Sequence, residues 1–109
     1  LAQCFLHAKE IVKDCSIPAP VFGHVGDGNF HVVFPLDPNN PAELEKVTSY
    51  HQQLIDMALA AGGTCTGEHG IGIGKRKALE QEHGNAVVTM RQIKHALDPR
   101  NIMNPGKVV

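Results

Sequence analysis

The dipeptide Asp27-Gly28, inside GHVGDGNFH at positions 23–31, constrains the fold most strongly. Asp-Gly is typical of a two-residue type I′ turn, and β-branched and aromatic residues flank it here. The sequence therefore predicts a β-hairpin with strands at about 21–26 and 29–35. In that register His24 lies opposite His31, with Cβ atoms about 4.5–5.5 Å apart. Two imidazoles that close can converge on one cation.

The alternation along the predicted hairpin assigns its two faces. One face is apolar and is expected to point to the core, with Val21, Val25, Phe30, Val32 and Phe34. The opposite face is polar near the turn and carries Phe22, His24, Gly26, Asn29, His31 and Val33.

Helical patterns surround the hairpin. Apolar spacing predicts helices at about 2–15, 75–82 and 86–97, and a further helix that begins at Pro41 and stops before Gly62. Asn40 is the expected N-cap, with Glu43 at the third helical position. The short β-prone segment 63–66 could add a strand. The order α-β-β-α-β-α-α predicts an α+β fold with an antiparallel sheet and packed helices, the cap portion ferredoxin-like.

Composition excludes some classes of protein. The 109 residues carry a net charge of −1 and no basic stripe, which argues against a nucleic-acid partner. The cysteines, Cys4, Cys15 and Cys65, form no C-x-x-C pair, so reduced thiols in a cytosolic-type protein are expected. The chain opens at Leu1 inside a helical pattern, and we expect it to be one C-terminal region, residues 1–109, of a longer protein.

The second chemical motif is GEHG at positions 67–70. Glu68 offers a third metal ligand and His69 offers a base. Neighbouring residues of a regular strand point to opposite faces, so both side chains serve one site only if the backbone turns. Gly67 and Gly70 would permit such a turn.

The glycine run GIGIG at positions 70–74 fits neither common phosphate-binding motif. It lacks the G-x-G-x-x-G spacing, and Arg76 stands where a P-loop needs serine or threonine. Close approach of the backbone to a bulky planar ligand is one interpretation, with Gly70 and Gly72 as contacts. A flexible linker is the other interpretation.

Three segments together resemble a known family. GHVGDGNFH, GTCTGEHGIGIGKR at 63–76 and MRQIKHALDPRNIMNPGKV at 90–108 resemble the C-terminal part of FAD-linked oxidases of the vanillyl-alcohol-oxidase fold. Within that family the chain is most similar to D-lactate dehydrogenases of the cytochrome- or quinone-linked type. The FAD subunit of glycolate oxidase is also similar.

The resemblance implies roles for individual positions. It implies that His24, His31 and Glu68 are ligands of a divalent metal, zinc or manganese, and that His69 is the base. Asn29 would contact a small 2-hydroxy-acid substrate, and the turn at Asn104 would lie near FAD. The hydride would pass from the substrate carbon to the flavin.

The resemblance also implies partners and a location. An FAD-binding domain, in cis or in trans, would hold most of the cofactor, and a cytochrome or quinone would accept the electrons. A homo-oligomer is compatible with the family. The expected location is the cytoplasm, the face of the inner membrane or, in a eukaryote, the mitochondrion.

Two alternatives to a D-lactate dehydrogenase stay open at this stage. One is the FAD subunit of glycolate oxidase. The other is a non-catalytic, ferredoxin-like module that binds a metal or a protein partner. A flavin-binding domain of about 200 residues or more in the upstream coding sequence would favour an enzyme.

Overall fold

The computed structural model describes residues 1–109, which form four helices and one two-stranded antiparallel sheet. The elements are α1 (Ala2–Ile11), β1 (Val21–Phe22), β2 (His31–Val32), α2 (Pro41–Ala60), α3 (Arg76–His83) and α4 (Ala86–Leu97). The predicted α+β class is confirmed. The chain divides into two compact units, Leu1–Gly63 and Thr64–Val109.

The hairpin forms in a different register from the predicted one. Val21 pairs with Val32, and Phe22, rather than His24, lies opposite His31. The predicted long strands and the two-residue turn at Asp27-Gly28 are therefore wrong, because each strand has only two residues.

A 3-10 turn at Val25–Asp27 replaces the predicted strand ends. The His24 carbonyl oxygen accepts hydrogen bonds from the backbone N–H of Asp27 (3.0 Å) and of Asn29 (3.4 Å). The Asn29 side-chain oxygen accepts from the His24 N–H at 3.2 Å. These local bonds compete with a strand ladder. Val25, predicted to be in the core, is 72% exposed as a result.

The first unit has its core between α1 and α2. Helix α1 packs against α2 and β1, and the buried apolar residues are Ala8, Val12, Ile17 and Ile55. The rings of Phe5 and Phe30 meet edge to face, with centroids 6.0 Å apart. Helix α1 therefore contacts both α2 and the hairpin.

Helix α2 begins and ends as its sequence predicts. The Asn40 side chain accepts hydrogen bonds from the N–H groups of Ala42 and Glu43, and its amide donates to the Glu43 carboxylate at 3.0 Å. After the helix, Gly62 adopts a φ of +75°, a left-handed conformation that ends helices and favours glycine.

The second unit consists of the 64–75 loop, α3, α4 and the tail after Leu97. Helices α3 and α4 pack together and confirm the two predicted helices to within a residue. The predicted strand at 63–66 does not form, because side chains of the second unit, rather than a neighbouring strand, take up the backbone groups of Cys65.

None of the four helices has both the length and the apolar character needed to cross a bilayer. All three cysteines are free thiols, as predicted.

Candidate active site

His24 and His31 lie close together despite the changed register. Their ring centroids are 5.7 Å apart and the ring planes are nearly perpendicular, at 87°. With a zinc–nitrogen bond of about 2.0–2.1 Å, each ring centroid lies about 3.2 Å from the metal, so two ligating rings have centroids up to about 6.4 Å apart. The observed separation is therefore compatible with two imidazoles on one cation. The ring of Phe22 lies against His31, with centroids 5.5 Å apart.

Asn29 has a structural contact within this loop. Its side-chain oxygen accepts the His24 N–H at 3.2 Å, which fixes the backbone that carries the first histidine. The substrate contact expected for Asn29 stays a prediction.

The backbone turns within the GEHG segment, as it must if the side chains of Glu68 and His69 are to serve one site. Gly67 and Gly70 adopt φ values of +55° and +78°, which favour glycine because a Cβ is strained there. His69 Nε2 lies 3.5 Å from Glu68 Oε1, so the two neighbouring side chains point to the same side. Both are solvent-accessible, with side-chain exposures of 71% for His69 and 44% for Glu68.

In the loop before GEHG, side chains at the start of α3 and within it bind both the backbone N–H and the carbonyl oxygen of Cys65. The Glu82 carboxylate accepts from the Cys65 N–H (3.0 Å) and from the Thr64 hydroxyl (3.1 Å). Lys75 Nζ donates to the Cys65 carbonyl oxygen at 2.8 Å. The sequence did not predict this network, since Lys75 and Glu82 lie outside both GHVGDGNFH and GEHG.

Two pKa shifts follow from this network. The hydrogen bond from the Cys65 N–H lowers the pKa of Glu82, so the carboxylate is charged at neutral pH. Burial of the Cys65 thiol and its hydrogen bond with Glu82 raise the pKa of Cys65. A neutral, buried thiol of this kind is a packing group and not a nucleophile.

The Thr66 hydroxyl oxygen is buried and has no hydrogen-bond partner in the structure. Buried hydroxyls normally have one. Thr66 stands two residues before Glu68, so this hydroxyl lies directly before the GEHG motif in the chain.

A cleft of about 520 Å³ lies in the second unit, between α4 and the tail. Its lining includes Gly72, Leu97, Asn104 and Lys107, and so contains two of the three predicted cofactor contacts. The Gly72 carbonyl oxygen accepts the Val108 N–H at 2.7 Å, which joins the glycine run to the tail. Gly72 and Asn104 have φ values of +55° and +47°, and these conformations explain a glycine and an asparagine there.

Gly70, the third predicted cofactor contact, does not line this cleft. A Cβ at Gly70 or at Gly72 would meet no atom within 4 Å, so the space around both is open to a ligand. Contact with FAD stays a prediction for all three positions.

Asp98 shapes the wall of the cleft. Its carboxylate, buried at the end of α4, accepts from the backbone N–H groups of Ile102 (3.0 Å) and Met103 (2.9 Å) and pairs with Lys94. Lys94 also donates to the Met103 carbonyl oxygen at 2.6 Å. The hydrogen bond from Lys94 lowers the pKa of Asp98 to about 2.

Comparison with known proteins identifies the family. The family described as FAD linked oxidases, C-terminal domain, matches residues 1–108. The chain belongs to this family. It is 50% identical to a probable mitochondrial D-lactate dehydrogenase of Danio rerio and 42% identical to a mitochondrial D-lactate dehydrogenase [cytochrome] of Arabidopsis thaliana, each over the whole chain. It is 40% identical, over 91% of its length, to glycolate oxidase subunit GlcD of Bacillus subtilis.

The chain spans about a fifth of the length of these relatives: 22%, 19% and 21%, respectively. The resemblance to an FAD-linked oxidase family, drawn from three motifs in the sequence, is confirmed.

Proposed function

We propose that this chain is the C-terminal, substrate- and metal-binding region of an FAD-dependent dehydrogenase of D-2-hydroxy acids, with D-lactate as the substrate. Similarity over the whole chain to two D-lactate dehydrogenases, at 50% and 42% identity, is the observation that carries this proposal. The histidines, the carboxylate and the glycines described above are compatible with it.

His24, His31 and Glu68 are proposed to hold one divalent cation, zinc or manganese. Two neutral nitrogens and one carboxylate match catalytic sites, which leave a position open, rather than closed four-ligand sites. The separation of the two imidazoles supports the two histidine ligands. When bound, the cation would supply Lewis acidity toward a hydroxyl oxygen and FAD would supply the two-electron acceptor.

His69 is proposed to take the hydroxyl proton of the substrate. Oxidation of a 2-hydroxy acid to a 2-oxo acid removes that proton and a hydride, and an imidazole is the side chain best suited to accept a proton near neutral pH. The contact between His69 Nε2 and Glu68 Oε1 orients the ring beside the proposed ligand. Asn29 would orient the substrate through its amide.

Gly70, Gly72 and Asn104 are proposed to contact FAD. The cleft that Gly72 and Asn104 line, and the open space beside Gly70, support these positions. An FAD-binding domain would hold the rest of the cofactor, and a cytochrome or quinone would take the electrons. A mitochondrial location is proposed for a eukaryotic source, since the Danio and Arabidopsis relatives are named as mitochondrial.

Glycolate is the second candidate substrate, because the Bacillus relative is named as a glycolate oxidase subunit. The two substrates differ by one methyl group, for which a hydrophobic pocket discriminates by about 10- to 200-fold.

Steady-state assay of the flavoprotein that contains this chain tests the proposal. D-lactate, L-lactate, glycolate and D-2-hydroxyglutarate are offered with an artificial electron acceptor. We expect the highest kcat/KM with D-lactate and no turnover with L-lactate. Higher kcat/KM with glycolate would replace the substrate assignment, and no turnover with any 2-hydroxy acid would reject the function.

Metal analysis of variants tests the ligand set. His24→Ala and His31→Ala should each lower the metal content and the activity together, while His7→Ala, an exposed histidine of α1, should lower neither. Full metal occupancy in the His24→Ala/His31→Ala double variant would exclude these ligands.

A further inference from the structure

The 64–70 loop, the segment that carries Glu68 and His69, is held by side chains rather than by strand pairing. The Cys65 N–H and carbonyl oxygen are bound by Glu82 and Lys75, respectively, and the Thr64 hydroxyl joins the same carboxylate. Three of the polar groups at the start of the loop are therefore tied to the α3 segment. Glu68 follows Cys65 by three residues.

Burial gives these bonds their strength. Cys65 is 7% exposed and the Glu82 side chain is 15% exposed, so water does not readily replace either partner. The downstream Gly67 and Gly70, both at positive φ, give the rest of the loop a turning path but contribute no side-chain contact of their own. The fixed point of the loop is therefore the Cys65 peptide, and its two holders are Glu82 and Lys75.

We propose that Glu82 and Lys75 are positioning residues, which hold the 64–70 loop on α3 and so fix Glu68 and His69 for their chemistry. This inference rests on the proposed function for the roles of Glu68 and His69. Both holders contact the 64–65 segment. They act through the backbone, in the way that outer partners of metal ligands orient those ligands.

The chain offers well-matched variants. Glu82→Ala removes the acceptor, whereas Glu82→Gln keeps a side-chain oxygen that can accept both hydrogen bonds. Lys75→Met removes the donor and retains most of the apolar stem. Glu80→Gln is the control for Glu82, because Glu80 lies on the same helix and pairs with Arg91 instead. Lys77→Met is the exposed control for Lys75.

Three measurements on the flavoprotein test the proposal. Amide hydrogen exchange of residues 65–70 should become about ten- to a hundredfold faster in Glu82→Ala and Lys75→Met, since a lost hydrogen bond to a charged group releases the segment. Affinity for Mn²⁺ or Zn²⁺ should fall by roughly 10- to 100-fold in the same variants. The kcat with D-lactate should fall with the metal affinity, and Glu82→Gln should restore all three quantities to near the wild-type values.

Several outcomes would overturn the proposal. One is unchanged exchange of the loop amides in both variants. Another is faster exchange with unchanged metal affinity and kcat, because the ordering of the loop would then affect neither metal binding nor catalysis. Failure of Glu82→Gln to rescue the metal affinity would mean that the charge of Glu82, and not its placement of the loop, is required.

Failure of the proposed function is a separate result, because it appears in the wild-type protein as no oxidation of D-lactate. The exchange and metal measurements compare variants with the wild type and do not depend on that oxidation.

Discussion

At the scale of single residues, the chemistry of this chain depends on polar side chains whose orientation is set by a few short contacts. His69 lies beside Glu68, and the two glycines that flank the pair turn the backbone on either side of it. Asp98 is buried and bound by Lys94 and two backbone N–H groups, which fix the start of the tail. The GEHG motif already placed His69 beside Glu68 in the sequence. The backbone partners of Asp98 were not predictable, because the folded backbone selects them.

Loss of the proposed base should lower turnover without loss of the cofactor. A positioned general base is worth about 10²–10⁴ in rate. In the flavoprotein, His69→Gln should reduce kcat by that order while flavin and metal content stay near wild type. His95→Gln, an exposed histidine of α4, should leave kcat unchanged. If His69→Gln retains more than about a tenth of wild-type turnover, the base is another group.

Asp98 should make stability depend on acid pH. Its folded pKa, about 2, lies below the ordinary value of 3.8, so the folded state binds this proton more weakly than the unfolded chain. The stabilisation is complete above about pH 4 and is lost as pH falls toward 2. The Tm of Asp98→Asn should therefore lie below wild type at pH 7, with the difference shrinking between pH 4 and 2.

Asp14→Asn, at an exposed carboxylate, is the control for this pH series and should follow the wild-type Tm at every pH. A difference between Asp98→Asn and wild type that stays constant from pH 7 to pH 2 would contradict the assignment.

At the scale of elements, the helices were predictable, except that α1 ends at Ile11 rather than at about residue 15. The hairpin was predictable only in outline. Caps and stop signals are local, so Asn40 and Gly62 marked the ends of α2 correctly. The hairpin register depends on a competition between ladder bonds and bonds inside the 24–29 loop, to which the Asn29 side chain and the His24 carbonyl oxygen contribute. Alternation of residue types contains no information on that competition.

The hairpin loop should depend on one glycine and tolerate change at another. A Cβ at Gly23 would lie 2.4 Å from Phe30 Cα, whereas a Cβ at Gly26 would meet nothing within 4 Å. Gly23→Ala should lower the free energy of unfolding by about 1–3 kcal/mol, because the Phe30 backbone must move. Gly26→Ala should leave it unchanged or slightly higher.

Urea unfolding of both glycine variants measures this difference. Equal stability of Gly23→Ala and Gly26→Ala would mean that the close approach of Gly23 to Phe30 is not maintained in solution.

At the scale of the whole molecule, the chain is a family domain that spans about a fifth of its relatives. Three motifs in the right order were enough to predict the family, because their combination is far more specific than any short pattern. The cleft at Gly72 and Asn104 and the network around Cys65 were not predictable in detail, since they join residues from distant positions in the sequence. The substrate, the metal and the electron acceptor are proposals that rest on that family and on the site.

The flavin spectrum of the full-length protein on anaerobic addition of D-lactate is the most direct measurement of the central claim. We predict rapid bleaching of the flavin absorbance by D-lactate and none by L-lactate. We also predict that chelation of the metal slows the bleaching strongly and that Mn²⁺ or Zn²⁺ restores it. A flavin that no 2-hydroxy acid bleaches, or one that D-lactate bleaches equally fast after chelation, would contradict the proposed function.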